Sequence, residues 1–238
     1  MVLESFDLIR FIRLYVIQLG VGGIYFLLIT FLILRRSKKQ MNQIFSGAFI
    51  SFALGTIINV IYASIKQPFL VKVLHISTYF LFCFSFCFLL LFNLIILKSS
   101  EIINRKKQLL TLTLWALVLS GLFIIGLLGG VSIDATTGWK PEWELSFFLY
   151  GILICYSFMI IPTLYVSIQI YKLLNTEVLI KRWRFFIIGL VIFYFLWTGT
   201  SIENLIQNTT FESIWGILSL IAFIGVYFLY YGVGKQLG

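Results

Sequence analysis

Four polar side chains in "FLWTGTSIEN", Trp197, Thr200, Ser201 and Asn204, fall at three- and four-residue steps. On a helix they share one face, with Glu203 beside it. The stretch "VLHISTYF" brings His75, Thr78 and Tyr79 to the start of another apolar run, and Asn59 and Tyr62 close a third. These side chains offer hydrogen-bond donors, acceptors and aromatic faces, which is the chemistry of small-molecule recognition rather than of bond cleavage. Reaction chemistry is missing around them. The chain has one histidine, so neither an HExxH helix nor a histidine-rich metal site can form. No glycine-rich phosphate loop precedes a soluble helix, and the apolar runs lack the Ser/His or paired Asp of an intramembrane hydrolase. The sequence reads as a non-enzyme with no cofactor.

The densest polar stretch lies elsewhere, in "DATTGWKPEWEL", Asp134 to Leu145. Trp139, Glu142 and Trp143 join the candidate set from here. Each candidate has a plainer reading. Trp139 and Trp143 suit aromatic anchors at a membrane interface. His75 suits a lone hydrogen-bonded residue, a pH role resting only on its proximity to neutral titration. Glu142, Glu144 and Glu203 suit solvated carboxylates. The cluster carries the ligand reading: Asn59, Tyr62, His75, Trp139, Glu142, Trp143, Trp197, Thr200 and Glu203.

The elements that position these residues follow from composition. At 61% hydrophobic, 11% charged and a mean hydropathy of +1.03, the chain departs from soluble domains, in which about a quarter of residues are charged. A span needs about 20 mostly apolar residues. Seven are predicted: Leu14–Leu34, Ile44–Ile65, Val73–Leu97, Leu109–Leu128, Phe147–Ile170, Phe185–Ile202 and Ile214–Tyr231. The fold class is all-α, one seven-helix transmembrane domain over residues 1–238 of a multi-pass cell-membrane protein. The opening "MVLESFDLIRFIR" has acids ahead of the first apolar run and no small-residue cleavage pattern, so the first span is read as retained.

Charge orients the bundle. The gaps after spans one, three and five, with the tail, hold thirteen of the eighteen basic residues, among them Arg35, Arg36, Lys106, Lys107, Lys181, Arg182 and Arg184. The positive-inside rule then places the amino terminus outside and the carboxyl terminus in the cytoplasm. The basic balance records this orientation, and nucleic acid is not an expected partner. Those seven residues are candidates for contact with a cytoplasmic partner or anionic lipid. The stretch Asp134–Leu145 falls outside, as does the "NTT" sequon at Asn208.

No Asp, Glu, Lys or Arg lies in the middle third of any predicted span, which disfavours proton pumps, ion-coupled transporters and voltage sensors. An opsin is excluded because the last span, with "LSLIAFIGVYF" at its middle, has no Schiff-base lysine. Gly47, Ser51 and Gly55 recur every four residues and permit close helix approach, with Asn59 next in the row as packing bond or ligand contact. Pro162 predicts a kink in span five. Cys83, Cys87 and Cys155 all sit in apolar runs and read as small apolar fillers.

Residues Thr136 to Leu190, from "TTGWKPEWEL" to "KRWRFFIIGL", resemble the seven-span sensor region at the amino terminus of many bacterial and archaeal histidine kinases. Thr136, Thr137, Gly138 and Trp139 look like that region's loop element before span five. Lys181, Arg182, Arg184 and Gly189 look like its basic loop and the glycine that follows. The family normally continues into PAS and kinase domains, which this sequence does not contain, so no catalytic output is carried over. The resemblance implies a seven-helix sensor or receptor-like module. It would bind a small molecule or envelope signal at its outer face and signal through a cytoplasmic protein or a homodimer. The alternative is a neutral-solute transporter or a non-catalytic membrane subunit of a larger complex. Transporters with three-plus-one-plus-three spans are built from repeated halves, but spans one to three laid over five to seven give no convincing residue match.

Overall fold

The computed structural model describes residues 12–234. Lys235 of the tail and most of the opening stretch lie outside the described residues. Among the described residues, seven helices are long and apolar enough to cross a membrane: α1 Gln18–Arg36, α2 Gln40–Tyr62, α3 Pro68–Lys98, α4 Arg105–Gly130, α5 Leu145–Leu173, α6 Glu177–Ile206 and α7 Thr209–Val233. Every predicted span overlaps one of them.

The ends differ from expectation because capping, not hydropathy, stops a helix. α3 begins five residues before Val73, since Pro68 suits the first helical turn and the Gln67 side chain accepts from the Leu70 N–H. α6 begins at Glu177 rather than Phe185. Lys181, Arg182 and Arg184 thus ride within helix instead of loop, their charges at the end of an apolar segment, where they cost little. At its far end Gln207 turns left-handed (φ 53°) and Asn208 accepts from Phe211 N at 3.0 Å, so α6 passes into α7 through the tightest connection of the bundle.

α3 is the axis of the molecule. It packs on α2, α4 and α5 and reaches α6 through ring contacts such as Phe86–Trp197 at 5.1 Å and Phe92–Phe186 at 5.8 Å. The small-residue row of α2 meets it. A Cβ on Gly47 would lie 2.6 Å from the Phe88 ring, and one on Gly55 2.6 Å from the Phe82 ring. The missing side chains are what let these phenylalanines seat. Thr78 Oγ1 donates to Gly55 O across the same contact (3.2 Å). In α5 a π-turn, Tyr156–Ile160, immediately precedes Pro162. It is the local rewinding expected where proline removes an N–H donor.

Between α4 and α5 the chain forms a hairpin with two short antiparallel strands, β1 Val131–Ser132 and β2 Glu142–Trp143, pairing Val131 with Trp143 and Ser132 with Glu142. Asp134 organises its turn: Oδ1 accepts from Thr136 N (2.7 Å), Thr136 Oγ1 (2.5 Å) and Thr137 N (3.3 Å). Gly138 and Trp139 follow in left-handed conformation (φ 61° and 62°), a backbone that glycine adopts freely and tryptophan does not. Trp139 is held there by donating its N–H to Asp134 O at 2.9 Å.

Candidate functional site

The hairpin closes one end of the bundle, and beneath it lie two adjoining pockets, a mouth lobe and a deep lobe, that share Gln18, Tyr79, Phe82 and Thr200 as wall residues. The mouth lobe, about 190 Å³, is polar. Asn59, Tyr62, His75, Trp139, Thr200 and Glu203 all line it, so six of the nine ligand candidates converge there from four separate elements. The deep lobe, about 140 Å³, runs between α1, α2, α6 and α7 and has apolar walls that include Phe26, Phe52, Phe193 and Val226. Trp143 and Trp197 line this second lobe. Glu142 lines neither and is exposed. The reason is strand alternation: successive side chains of β2 point to opposite faces, so burying Trp143 turns Glu142 outward.

A relay of three rings ties the hairpin to the helices. Trp143 Nε1 donates to His75 Nε2 (2.9 Å), and His75 Nδ1 lies 2.8 Å from Tyr62 Oη. Indole nitrogen is a donor only, so His75 Nε2 must be the acceptor and the neutral imidazole carries its proton on Nδ1, donating to Tyr62. All three residues are buried. His75 is thus a connector between α2, α3 and β2, with both nitrogens engaged.

Two further bonds hold the hairpin as a cap. Lys140 Nζ contacts both carboxylate oxygens of Glu212 in α7 (3.0 and 2.9 Å). Gln207 Nε2 donates to Pro141 O at 2.8 Å. Asp134, in the loop outside the helices, is held below its ordinary value of 3.8, first by the Thr136 hydroxyl and then by the Thr136 and Thr137 N–H groups. Within the mouth lobe Asn59 Nδ2 donates to Gln18 Oε1, tying α2 to α1.

Trp197 is the central wall of the deep lobe. Its indole stacks on Tyr79 (5.7 Å, 9° between planes) and meets Phe86 edge-on. It is 5% exposed, and its Nε1–H is closed to solvent with no acceptor among the described residues. Beside it, Thr200 Oγ1 accepts from Trp215 Nε1 at 3.2 Å, which leaves the threonine proton for another partner.

The seven basic candidates occupy the opposite end of the bundle. Arg35 and Arg36 close α1, Lys106 and Lys107 open α4, and Lys181, Arg182 and Arg184 lie in the first turns of α6. Arg184 Nε donates to Tyr171 Oη (2.8 Å) and its guanidinium packs 5.6 Å from that ring. Just inside this basic end lies a polar cluster that the sequence reading missed. Ser167 Oγ donates to Asn93 Oδ1 (2.6 Å), Asn93 Nδ2 donates to Leu89 O, and Trp183 Nε1 donates to Ser167 O (2.8 Å). A lone asparagine in "LLLFNLIIL" was the available signal. Among the described residues no group of three His, Cys, Asp or Glu side chains is placed to hold a metal. Cys83, Cys87 and Cys155 are buried free thiols.

Compared with known proteins, the chain matches no family model and no curated protein.

Proposed function

We propose that this chain is a seven-helix sensor or receptor-like module of the cell membrane, with its amino terminus and hairpin outside and its basic end in the cytoplasm. A small molecule would enter the mouth lobe from the outer face, and helix shifts would pass to a cytoplasmic protein or a second copy at the basic end. One observation carries the reading: polar residues from α2, α3, the hairpin and α6 converge on a single capped cavity at the end opposite the basic residues. The resemblance of Thr136–Leu190 to histidine-kinase sensor regions agrees with it. Phe45, Phe92 and Phe186, all fully buried and in mutual ring contact, fill the bundle between the cavity and the basic end. That plug favours sensing over passage of a solute.

Coupling requires that the cap bias two arrangements of the bundle unequally. The test is a distance measurement between spin labels at Lys106→Cys and Lys181→Cys, with the protein in lipid nanodiscs. Removing the cap's ion pair by Lys140→Ala should change the distance distribution at the basic end. Identical distributions with and without the pair would sink the sensor reading.

A further inference from the structure

Where α5 ends and α6 begins, Arg184 is held in a way that an interfacial anchor does not need. Its Nε donates to Tyr171 Oη (2.8 Å), and the guanidinium packs 5.6 Å from that ring. An anchor would extend its charge into water; here Tyr171 draws it back against α5. The seam behind the pair is fixed, because Trp183 Nε1 donates to Ser167 O at 2.8 Å. The Arg184–Tyr171 bond itself lies at the exposed surface, so both groups are within reach of an occupant. Among the described residues the Arg184 side chain makes no other hydrogen bond, which leaves its Nη N–H groups. Tyr171 accepts at Oη and so keeps its own hydroxyl proton to donate. A planar N–H fork with a hydroxyl donor beside it is the donor set that takes a phosphate.

Depth decides which phosphate. Arg184 is the last charged residue before the apolar run Phe185–Ile202, at the border between hydrocarbon and headgroups. Ile188, Val191 and Phe195 follow it at steps of four, three and four residues, on one helix face, and all three are exposed. A stripe that starts at phosphate donors and descends into the bilayer matches a phospholipid, headgroup first and acyl chain after. Charge narrows the class. Lys181, one turn before Arg184 on that face, and Lys172, beside Tyr171, are exposed, and Glu177 is the carboxylate on the same face two turns out from Arg184. Three cations against one carboxylate favour a lipid with a net negative charge.

We propose that the lipid-facing edge of the α5–α6 seam binds one anionic phospholipid in the leaflet at the basic end. Its phosphate oxygens accept from the Arg184 Nη N–H groups and the Tyr171 hydroxyl, and one acyl chain lies along Ile188, Val191 and Phe195. The proposal rests on the helices spanning a bilayer and not on the sensor reading.

Native mass spectrometry of the full chain, released from detergent micelles and titrated with lipid, counts the lipids retained by every variant alike. One dioleoyl phosphatidylglycerol should be retained at a concentration about tenfold below that needed for dioleoyl phosphatidylcholine. Arg184→Gln should weaken this binding about tenfold and Tyr171→Phe about threefold, the range of hydrogen bonds to a charged group at a surface. Arg184→Lys keeps the charge but not the fork and should weaken it nearly as far as Arg184→Gln. Lys106→Gln removes one charge from α4 at the same end and should leave binding unchanged. Dihexanoyl phosphatidylglycerol, with the same headgroup on short chains, should bind more weakly, and inorganic phosphate should not displace the dioleoyl lipid. Equal losses in Arg184→Gln and Lys106→Gln would overturn the proposal in favour of a diffuse basic surface. Full binding by Arg184→Lys, or equal retention of the two dioleoyl lipids, would overturn it as well. Displacement by inorganic phosphate would make the fork a site for a soluble anion instead. Thermal unfolding without added lipid should be the same in all variants; if Arg184→Gln unfolds early, unchanged binding by a stable Tyr171→Phe still overturns the proposal. Lipid retention is read independently of the label distances at the basic end, so the lipid site and the sensor reading can each fail alone.

Discussion

His75 has two hydrogen-bonding neighbours that decide its state, and its chemistry shows how much a single side chain can hold together. Trp143 can only donate, so the imidazole must accept at Nε2, and its single N–H, on Nδ1, donates to Tyr62 Oη. Trp143→Phe keeps the ring packing against Tyr79 and Phe147 but strands Nε2 in a buried site. The expected loss of stability is about 1–3 kcal/mol, read by thermal unfolding in nanodiscs, and a loss near zero would mean that the relay does not fasten the hairpin. Asp134 makes a second residue-scale case, governed by pH. Its carboxylate is favoured in the folded loop by the Thr136 hydroxyl and the two N–H groups, so its folded value lies below 3.8. The loop stability it supplies is complete above 3.8 and is lost as the pH falls through the depressed value. Amide exchange of Trp139, whose N–H bonds to Asp134 O, should therefore lose protection on acidification relative to Asp134→Asn at the same pH. Parallel behaviour of the two proteins would show that the charge does not order the turn.

At the scale of elements, the sequence was explicit about some things and silent about others. Seven helices were legible because twenty apolar residues are a length signal that little else mimics. Their ends were not, because Gln67, Asn104 and Asn208 cap helices through side-chain oxygens that hydropathy does not register. The Gly47–Ser51–Gly55 row announced a close approach, and the structure supplies its partner, the phenylalanines of α3. The cavity was half legible. Helical periodicity brought Asn59, His75, Thr200 and Glu203 to one level, but β2 follows a period of two, which turns Glu142 away from both pockets while Trp143 lines one of them. Lys140 and Glu212, 72 residues apart, carry no local signal of their pairing. The contact between α6 and α7 gives this scale its own test. A Cβ on Gly199 would lie 2.0 Å from the Trp215 ring, and Trp215 in turn donates to Thr200 at the cavity wall. Gly199→Val should cost about 1–3 kcal/mol through overpacking, read by thermal unfolding in nanodiscs. Gly216→Ala, one residue from the same tryptophan, serves as the comparison. If Gly199→Val is neutral, the two helices are not locked by this contact.

At the scale of the whole molecule, what the protein can respond to depends on which end faces which side. The polar cavity and the basic residues sit at opposite ends of the same seven helices, so fixing the side of either fixes both. The charge asymmetry supports a cytoplasmic basic end, since arginine and lysine near span ends set orientation. Anionic lipid on that side would add to the preference. Buried native cysteines make the test clean, because Cys83, Cys87 and Cys155 are all closed to solvent. Ala135→Cys in the hairpin and Lys38→Cys between α1 and α2 are both exposed positions. With a membrane-impermeant maleimide on intact cells, Ala135→Cys should be labelled and Lys38→Cys should not, and both should react once the membrane is opened. The reversed pattern would put the cavity in the cytoplasm. The hairpin would then cap a site that sees internal metabolites, and the basic end, facing outward, could no longer be the contact for a cytoplasmic partner. Orientation therefore bears on the direction of signalling and on which compartment's solutes reach the pocket.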